Sequence, residues 1–83
     1  MQILYFAWVA DRVGCREEEI APPDTVTTVG SLLDFLAGLS PAHAHALGDR
    51  AVIRVAVNHD FAAADHPVTA GDEIAVFPPV TGG

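Results

Sequence analysis

Hydrophobic positions divide this chain into segments with two different periods. Residues 2–9 form a continuous apolar run of strand length, which predicts a central strand covered on both faces for part of its length. Residues 73–77 alternate and are rich in β-branched and aromatic side chains, so they predict a strand that leads directly to the end of the chain. The two most apolar strands are therefore predicted at the two ends of the sequence.

The segment after the first strand predicts a hairpin with an acidic edge. Gly14 marks a turn within the polar residues 10–15. Residues 16–21 have strand length and contain three glutamates, which we expect to face water. Pro22 and Pro23 lack the N–H that a sheet ladder needs, so they end this edge strand.

The middle of the chain changes to helical periodicity before strand character returns. Apolar residues recur at spacings of three and four over residues 29–39, behind Thr28 as the predicted N-cap. Residues 41–50 predict a short helical turn and a loop, and residues 51–58 predict a strand. The last linker, residues 61–70, is predicted to be irregular with one short strand at most.

This order of elements predicts an α+β fold in which one main helix packs on one face of a mixed sheet. The arrangement is the β-grasp fold of ubiquitin, in which the first and last strands lie side by side and parallel at the centre. We predict one β-grasp domain over residues 1–77, followed by an extended tail at residues 78–83. A chain of 83 residues is too short to bury a second core.

Composition limits the kinds of partner that this chain is expected to bind and the cellular compartment in which it is expected to occur. The chain is 51% hydrophobic, which is high for so small a domain, so we expect some apolar surface to be exposed as a partner patch. Eleven acidic residues against four arginines and no lysine give a net charge of −7, which disfavours nucleic acid and favours a basic protein surface. Cys15 alone cannot form a disulfide framework, and no stretch is typical of a membrane span or cleavable signal. We therefore expect a reduced, cytoplasmic compartment.

No group of side chains has the spacing of a catalytic or metal site. His43 and His45 would point to different sides of a helix, so we expect no metal site. Cys15 has no implied base and is expected to be an incidental thiol. Asp72 and Glu73 would point to opposite faces of a strand rather than form a catalytic pair. We expect neither a bound cofactor nor an active site within this chain.

The tail has the properties of a reactive terminus. Pro78 and Pro79 end the last strand and stiffen the chain beyond it. Gly82 and Gly83 lack a Cβ, so their backbone can enter a channel too narrow for side chains. The ionised carboxylate of Gly83 is a poor electrophile until ATP activates it as an adenylate. A sulfur donor could then replace AMP to leave a nucleophilic thiocarboxylate.

The C-terminal motif resembles that of the small subunits of molybdopterin synthase. The resemblance covers essentially the whole chain, with further landmarks at residues 4–7, Gly14 and residues 56–58. The family often has an Arg-Glu pair after the first strand, where this chain has Ala10 and Asp11. The specific part of the motif is the unbroken run Phe77, Pro78, Pro79, Val80, Thr81, Gly82 and Gly83.

The resemblance implies a sulfur carrier of molybdenum cofactor biosynthesis. A ubiquitin-activating-like enzyme would use ATP to adenylate Gly83, and a cysteine desulfurase or rhodanese-like protein would supply sulfur. The tail, residues 78–83, would then enter the large subunit of a heterotetrameric synthase and pass its sulfur to cyclic pyranopterin monophosphate, forming the dithiolene. Family contacts to the large subunit map onto Phe6, Phe61 and Phe77. We expect the last two to form an exposed apolar patch.

Two other functions share these features. Ubiquitin-like sulfur carriers for thiamine or cysteine synthesis have the same fold and Gly-Gly chemistry, although the thiamine carrier is usually shorter than this chain. A ubiquitin-like protein modifier or binding module, joined to lysines of other proteins through Gly83, belongs to a different class. Because the sequence has no lysine, such a modifier could not form chains on itself.

Overall fold

The computed structural model describes residues 1–79 and places five strands in one mixed sheet. The strands are β1 (Gln2–Tyr5), β2 (Glu17–Glu19), β3 (Arg54–Val57), β4 (Asp60–Ala62) and β5 (Glu73–Phe77). Their order in space is β2-β1-β5-β3-β4. Strands β1 and β5 are parallel, and the other neighbouring pairs are antiparallel. The predicted β-grasp fold, with the first and last strands side by side at the centre, is confirmed.

Helices cover one face of this sheet. They are α1 (Ala7–Val13), α2 (Val29–Ala37) and α3 (Pro41–Leu47), and a short 3-10 turn follows at Arg50–Val52. The longest of them, α2, is the predicted main helix, while α3 extends the short helical turn that the sequence predicts. Among residues 1–79, no helix is long and apolar enough to cross a membrane.

The segment after β1 contradicts the sequence-based prediction. Residues 2–9 are predicted to form one strand and residues 10–15 a hairpin turn, but β1 ends at Tyr5 and α1 begins at Ala7. Strand β2 still pairs with β1 in antiparallel register, so the pairing is confirmed and the tight connection is wrong. The apolar run at residues 2–9 does not distinguish a strand from a helix, because a short continuous run fits a buried helix as well as a buried strand.

Two features of α1 explain why residues 7–13 form a helix instead of continuing the strand. Val9 and Val13 lie four residues apart, so a helix buries both side chains against the sheet. Gly14 adopts a φ of 97° and donates its N–H to the carbonyl of Ala10, which is a left-handed helix cap. The glycine that suggests a hairpin turn is therefore a C-terminal helix cap.

Helix α2 begins where the sequence predicts. The hydroxyl of Thr28 accepts from the Ser31 N–H at 3.2 Å, and the Thr28 N–H donates to the Ser31 hydroxyl at 3.0 Å. This reciprocal capping box satisfies two backbone donors that the helix cannot. The helix ends at Ala37, two residues before the predicted boundary.

The other strands match the sequence to different degrees. Strand β5 has the predicted bounds, and β4 is the short strand allowed for in the last linker. Strands β2 and β3 are shorter than predicted. Strand β3 loses its first residues because Arg50–Val52 forms the 3-10 turn, whose start is capped by the carboxylate of Asp49 accepting from the Ala51 N–H at 3.1 Å.

The core lies between the sheet and the three helices. Its fully buried side chains come from both central strands and from every helix, so one cluster joins all the layers. The largest of them are Ile3, Val9, Val29, Leu32, Leu36, Leu47, Ile74 and Val76.

A polar network at the edge of this core corrects the prediction for β2. The three glutamates of this strand are expected to face water, but Glu18 is only half exposed and its Oε2 accepts from the Tyr5 hydroxyl at 2.7 Å. The Nε2 of His43 lies 2.7 Å from the same oxygen, and its Nδ1 lies 2.7 Å from the Ser40 hydroxyl. Because a carboxylate only accepts hydrogen bonds, Nε2 of His43 carries a proton. The network ties β1, β2 and α3 together.

The same contacts shift the ionisation of the network. Burial alone would raise the pKa of Glu18, but hydrogen bonds from His43 and Tyr5 and the charge interaction with His43 outweigh it, so the pKa is lowered. Burial and the hydrogen bond to Glu18 raise the pKa of Tyr5, which keeps its hydroxyl protonated. A carboxylate with a lowered pKa contributes stability that is present above its ordinary value and is lost on acidification.

We therefore predict that Glu18→Gln destabilises the fold and flattens its acid dependence. Hydrogen bonds to a charged group contribute about 1.5–3 kcal/mol, so the free energy of unfolding at neutral pH should fall by roughly that amount. Below about pH 4.5, the ordinary pKa of this side chain, wild type should lose stability more steeply than the variant. Urea melts at a series of pH values measure both effects.

Glu17→Gln is the matched control. Glu17 is the adjacent residue and its only recorded side-chain contact in residues 1–79 is an exposed hydrogen bond from Gln2 at 3.3 Å. It should change stability by less than about 0.5 kcal/mol. Equal losses from the two variants would contradict the role given to the network.

Candidate protein-interaction site

The face of the sheet opposite the helices is open, and the last strand ends on it. Along β5, Ile74 and Val76 point into the core, while Ala75 and Phe77 point to the other face and are half-buried. This alternation follows from the period of two of a strand. The open face is therefore lined by the residues that the core does not use.

The register of the strands groups apolar side chains near the end of β5. One row crosses all five strands and contains Glu17, Leu4, Ala75, Ala56 and Phe61. In the next row towards the end of β5, Phe77 lies opposite Arg54. The row on the other side is polar and contains Glu19, Gln2 and Glu73. The open face thus has an apolar half beside the start of the tail and an acidic half away from it.

Phe61 and Phe77 form an aromatic pair in the apolar half. Their ring centroids are 5.7 Å apart, and Phe61 is 80% exposed, while Phe77 is half-buried. The expected exposed patch is present, and Phe61 is its more prominent member. Together the rings line a pocket of about 340 Å³. Large exposed aromatic side chains of this kind are typical of surfaces that bind another protein.

Phe6 lies at the same edge of the sheet. It is 48% exposed, and its N–H donates to the carbonyl of Val76 at 3.1 Å, which extends the pairing of β1 with β5 by one bond. Because β1 and β5 are parallel, both strands end at this edge. The three phenylalanines predicted as partner contacts are therefore all at least partly accessible, and none belongs to the buried cluster. Their contact with a partner stays a prediction.

The tail leaves the sheet immediately beside this patch. Strand β5 ends at Phe77, and Pro78 and Pro79 are half-buried residues outside any strand. The prolines therefore end the strand as predicted. The remaining predicted tail residues, Val80, Thr81, Gly82 and Gly83, lie outside the described residues.

Residues 1–79 contain no metal-binding cluster and no activated thiol. No three His, Cys, Asp or Glu side chains in this range lie close enough to hold a metal ion. Burial and the charge of Glu18 raise the pKa of the Cys15 thiol, despite an opposing hydrogen bond from the backbone of Glu17. A raised pKa leaves the thiol protonated and unreactive.

Sequence reasoning missed Arg54. The alternation of residues 54–57 is a signal for its position, because it puts Arg54 on the face opposite the buried Val55 and Val57. Its place beside Phe61 and Phe77 depends on the register of β3 with β4 and β5, which the sequence does not give. His43, whose metal role the sequence disfavours, is a buried member of the polar network instead.

Comparison with known proteins agrees with this geometry. The ThiS family model matches residues 3–83. The molybdopterin synthase sulfur carrier subunit of Escherichia coli (strain K12) is 42% identical over 83 residues, covering 100% of this chain and 99% of that protein. Small archaeal modifier protein 1 of Haloferax volcanii is 39% identical over 88 residues, with both chains fully covered.

A solved structure has the same fold. The crystal structure of SAMP1 from Haloferax volcanii aligns with a TM-score of 0.77 at 38% identity, and the alignment covers 100% of this chain and 98% of that chain. A family model over nearly all residues and relatives matched over their full length lead to one assignment. The chain belongs to the ThiS family and has its ubiquitin-like β-grasp fold.

Proposed function

We propose that this chain is the sulfur carrier subunit of a molybdopterin synthase. The observation that carries the proposal is the full-length similarity to the Escherichia coli molybdopterin synthase sulfur carrier subunit, 42% identical over 83 residues. The position of the tail supports it. A central strand held on both sides leads into the motif that ends in Gly82 and Gly83, beside an exposed aromatic pair.

In this proposal the carboxylate of Gly83 is the reacting group. A partner adenylyltransferase of the ubiquitin-activating type consumes ATP, and the carboxylate oxygen attacks the α-phosphorus and displaces pyrophosphate. The terminal sulfur of a persulfide on a cysteine desulfurase or rhodanese-like donor attacks the acyl carbon and displaces AMP. A thiol then cleaves the S–S bond of the resulting acyl disulfide, which leaves the thiocarboxylate on Gly83 and a disulfide between that thiol and the donor cysteine. The role of this chain is to present an unhindered terminus, since glycine lets the backbone approach a reactive atom closely.

The large subunit of the synthase receives the charged tail. Residues 78–83 extend into it, and two charged chains in turn each pass one thiocarboxylate sulfur to cyclic pyranopterin monophosphate, which forms the dithiolene of molybdopterin. Hydrolysis returns each Gly83 to the carboxylate. Phe6, Phe61 and Phe77 dock on the large subunit beside the entrance. The short distance between the aromatic pair and the end of β5 supports this, because a rigid docking patch next to the tail fixes where the tail enters.

A protein modifier is the second candidate, favoured by the 39% identity to small archaeal modifier protein 1. Gly83 would then be joined to lysines of other proteins. Mass spectrometry of proteins from the native host separates the candidates. Replacement of one oxygen by sulfur on Gly83 supports the carrier, while a Gly-Gly remnant on lysines of other proteins supports the modifier. A carrier for thiamine or cysteine synthesis would also have the thiocarboxylate but would not restore molybdopterin production.

We predict that deleting Gly83, or adding one residue after it, abolishes sulfur transfer. Either change removes the carboxylate from the position at which the activating enzyme and the large subunit meet it. The assay is molybdopterin formation from cyclic pyranopterin monophosphate with purified large subunit, activating enzyme, ATP and sulfur donor. The melting temperature should stay within error of wild type, because terminal residues beyond a core strand contribute little packing. Normal molybdopterin formation by either variant would contradict the proposal that this chain is a sulfur carrier.

We predict that Gly82→Ala slows both adenylation and sulfur transfer. A methyl group against the wall of a tight channel costs about 1–3 kcal/mol, which corresponds to roughly a tenfold to hundredfold lower rate. Exchange of pyrophosphate into ATP measures adenylation. Gly71→Ala is the matched control, because a Cβ at Gly71 meets nothing within 4 Å. Wild-type exchange by a Gly82 variant with a bulky side chain would mean that the channel is wide.

We predict that Phe61→Ser weakens binding of the large subunit without unfolding the chain. Truncating a central aromatic contact typically costs 2 kcal/mol or more, so Kd should rise about thirtyfold or more. The melting temperature should change little, because the ring is 80% exposed. Leu39→Ser is the control, since Leu39 is an exposed apolar residue just after α2 and away from the open face. Equal effects of the two substitutions on Kd would count against docking through the aromatic pair.

A further inference from the structure

Arg54 pairs with no carboxylate among residues 1–79 and lies beside an apolar pocket. Among residues 1–79, the guanidinium of Arg50 pairs with Asp34, and Arg12 lies over the Trp8 ring. Arg16 shares its pocket with Asp11 and Glu17. The pocket beside Arg54 is lined otherwise by apolar residues, namely Val55, Phe61, Ala62, Ala63 and Phe77. In a chain with eleven acidic residues, a cation whose adjoining pocket is lined by none of them is a distinctive feature.

Backbone contacts within residues 1–79 orient the Arg54 guanidinium and engage one of its three nitrogens. Its Nη1 donates to the carbonyl of Ala51 at 3.2 Å and to that of Ile53 at 2.8 Å. A guanidinium has five N–H donors in a fixed plane. Within residues 1–79, Nη2 and Nε have no recorded acceptor. Two backbone carbonyls therefore orient the guanidinium, and Nη2 and Nε are the donors available to a ligand.

The pocket beside this fork is suited to an apolar group. The rings of Phe61 and Phe77 are tilted by 40° and form its main wall, and parts of residues Val55, Ala62 and Ala63 line the remainder. Its volume of about 340 Å³ admits one large side chain with part of its backbone. An apolar wall next to a cation fits a ligand that has both an apolar and an anionic part.

We propose that this pocket binds an apolar side chain adjacent to an aspartate or glutamate on the partner that receives the tail. The apolar side chain packs on Phe61 and Phe77, and the carboxylate accepts from Nη2 and Nε of Arg54. Charge-assisted, two-bonded pairs of this kind are stronger and more directional than neutral hydrogen bonds. The proposal rests on the proposed function, because the partner is the large subunit of the synthase.

The charge pattern of the open face explains why a carboxylate is selected here. The row at the far end of this face contains Glu19 and Glu73, so the acidic half attracts a basic surface. A uniformly basic partner would repel Arg54. A partner surface with one carboxylate opposite Arg54 and basic residues opposite the acidic half can bind in only one orientation. That orientation places the tail at the entrance of the partner's channel.

The test compares charge variants of Arg54 with a matched arginine in binding to the purified large subunit. Isothermal titration calorimetry should give a Kd raised about tenfold for Arg54→Gln and about a hundredfold for Arg54→Glu, with unchanged melting temperatures. Arg50→Glu removes the same charge from a residue paired with Asp34 and should change Kd less than about threefold. The effect of Arg54→Gln should shrink at high salt.

A rescue experiment identifies the ligand as a carboxylate. Each surface aspartate and glutamate of the large subunit is changed to lysine and tested with the Arg54→Glu chain. Restored binding for one such pair supports the proposal. Wild-type binding with Arg54→Glu, or weakened binding that no lysine rescues, overturns it and leaves the proposed function intact. Failure of the wild-type chain itself to bind the large subunit would instead contradict the proposed function.

Discussion

The parallel pairing of β1 with β5 is the constraint on which the rest of the molecule depends. It sets Gln2 opposite Glu73 and Tyr5 opposite Val76, and so brings the carboxyl ends of both strands to one edge. Parallel strands cannot be joined by a tight turn, so the chain between them must cross over, and its helices cover one face. The other face stays open. Strand β5 also pairs with β3, so the root of the tail is bonded on both sides. Because β5 is paired on both sides, the direction in which the chain leaves the sheet is fixed.

Strand β2, at the edge of the sheet, is held by side-chain hydrogen bonds as well as by backbone pairing. Strand β2 has three residues, all glutamates, and a short acidic edge strand gains little from its backbone ladder alone. The hydrogen bonds of Glu18 with Tyr5 and His43 add side-chain contacts across β1 and α3. Within residues 1–79, no buried side-chain polar atom lacks a partner. A carboxylate at the edge of the core is tolerated because its hydrogen bonds replace the water that it loses.

Local sequence signals account for the elements that were predicted correctly. Thr28 caps α2 through its own side chain, and β5 shows strict alternation with Pro78 at its end, so both follow from neighbouring residues. Helix α1 could not be predicted in this way. Its start requires Ala7 to adopt a φ of 54°, which no residue type at that position signals. An apolar run alone does not separate a strand from a buried helix.

Contacts distant in sequence explain the remaining differences. Glu18 is drawn towards the core by His43, 25 residues away, and nothing near Glu18 separates it from its two acidic neighbours. The same applies to the interaction site. Phe61 and Phe77 could be selected from the sequence by resemblance, but their 5.7 Å contact and the place of Arg54 beside them arise from strand register. Register depends on the whole sheet.

The open face, more than the tail, separates the functions that this fold can serve. Sulfur carriers and protein modifiers both need a thin terminus that can be adenylated, so the glycines alone do not select between them. The net charge of −7 opposes the approach of a second copy to the exposed Phe61, because two copies repel each other. A partner that meets this face has to match its acidic half, its aromatic pair and Arg54 at once. We therefore expect the charge pattern around the patch to decide which partner this chain binds.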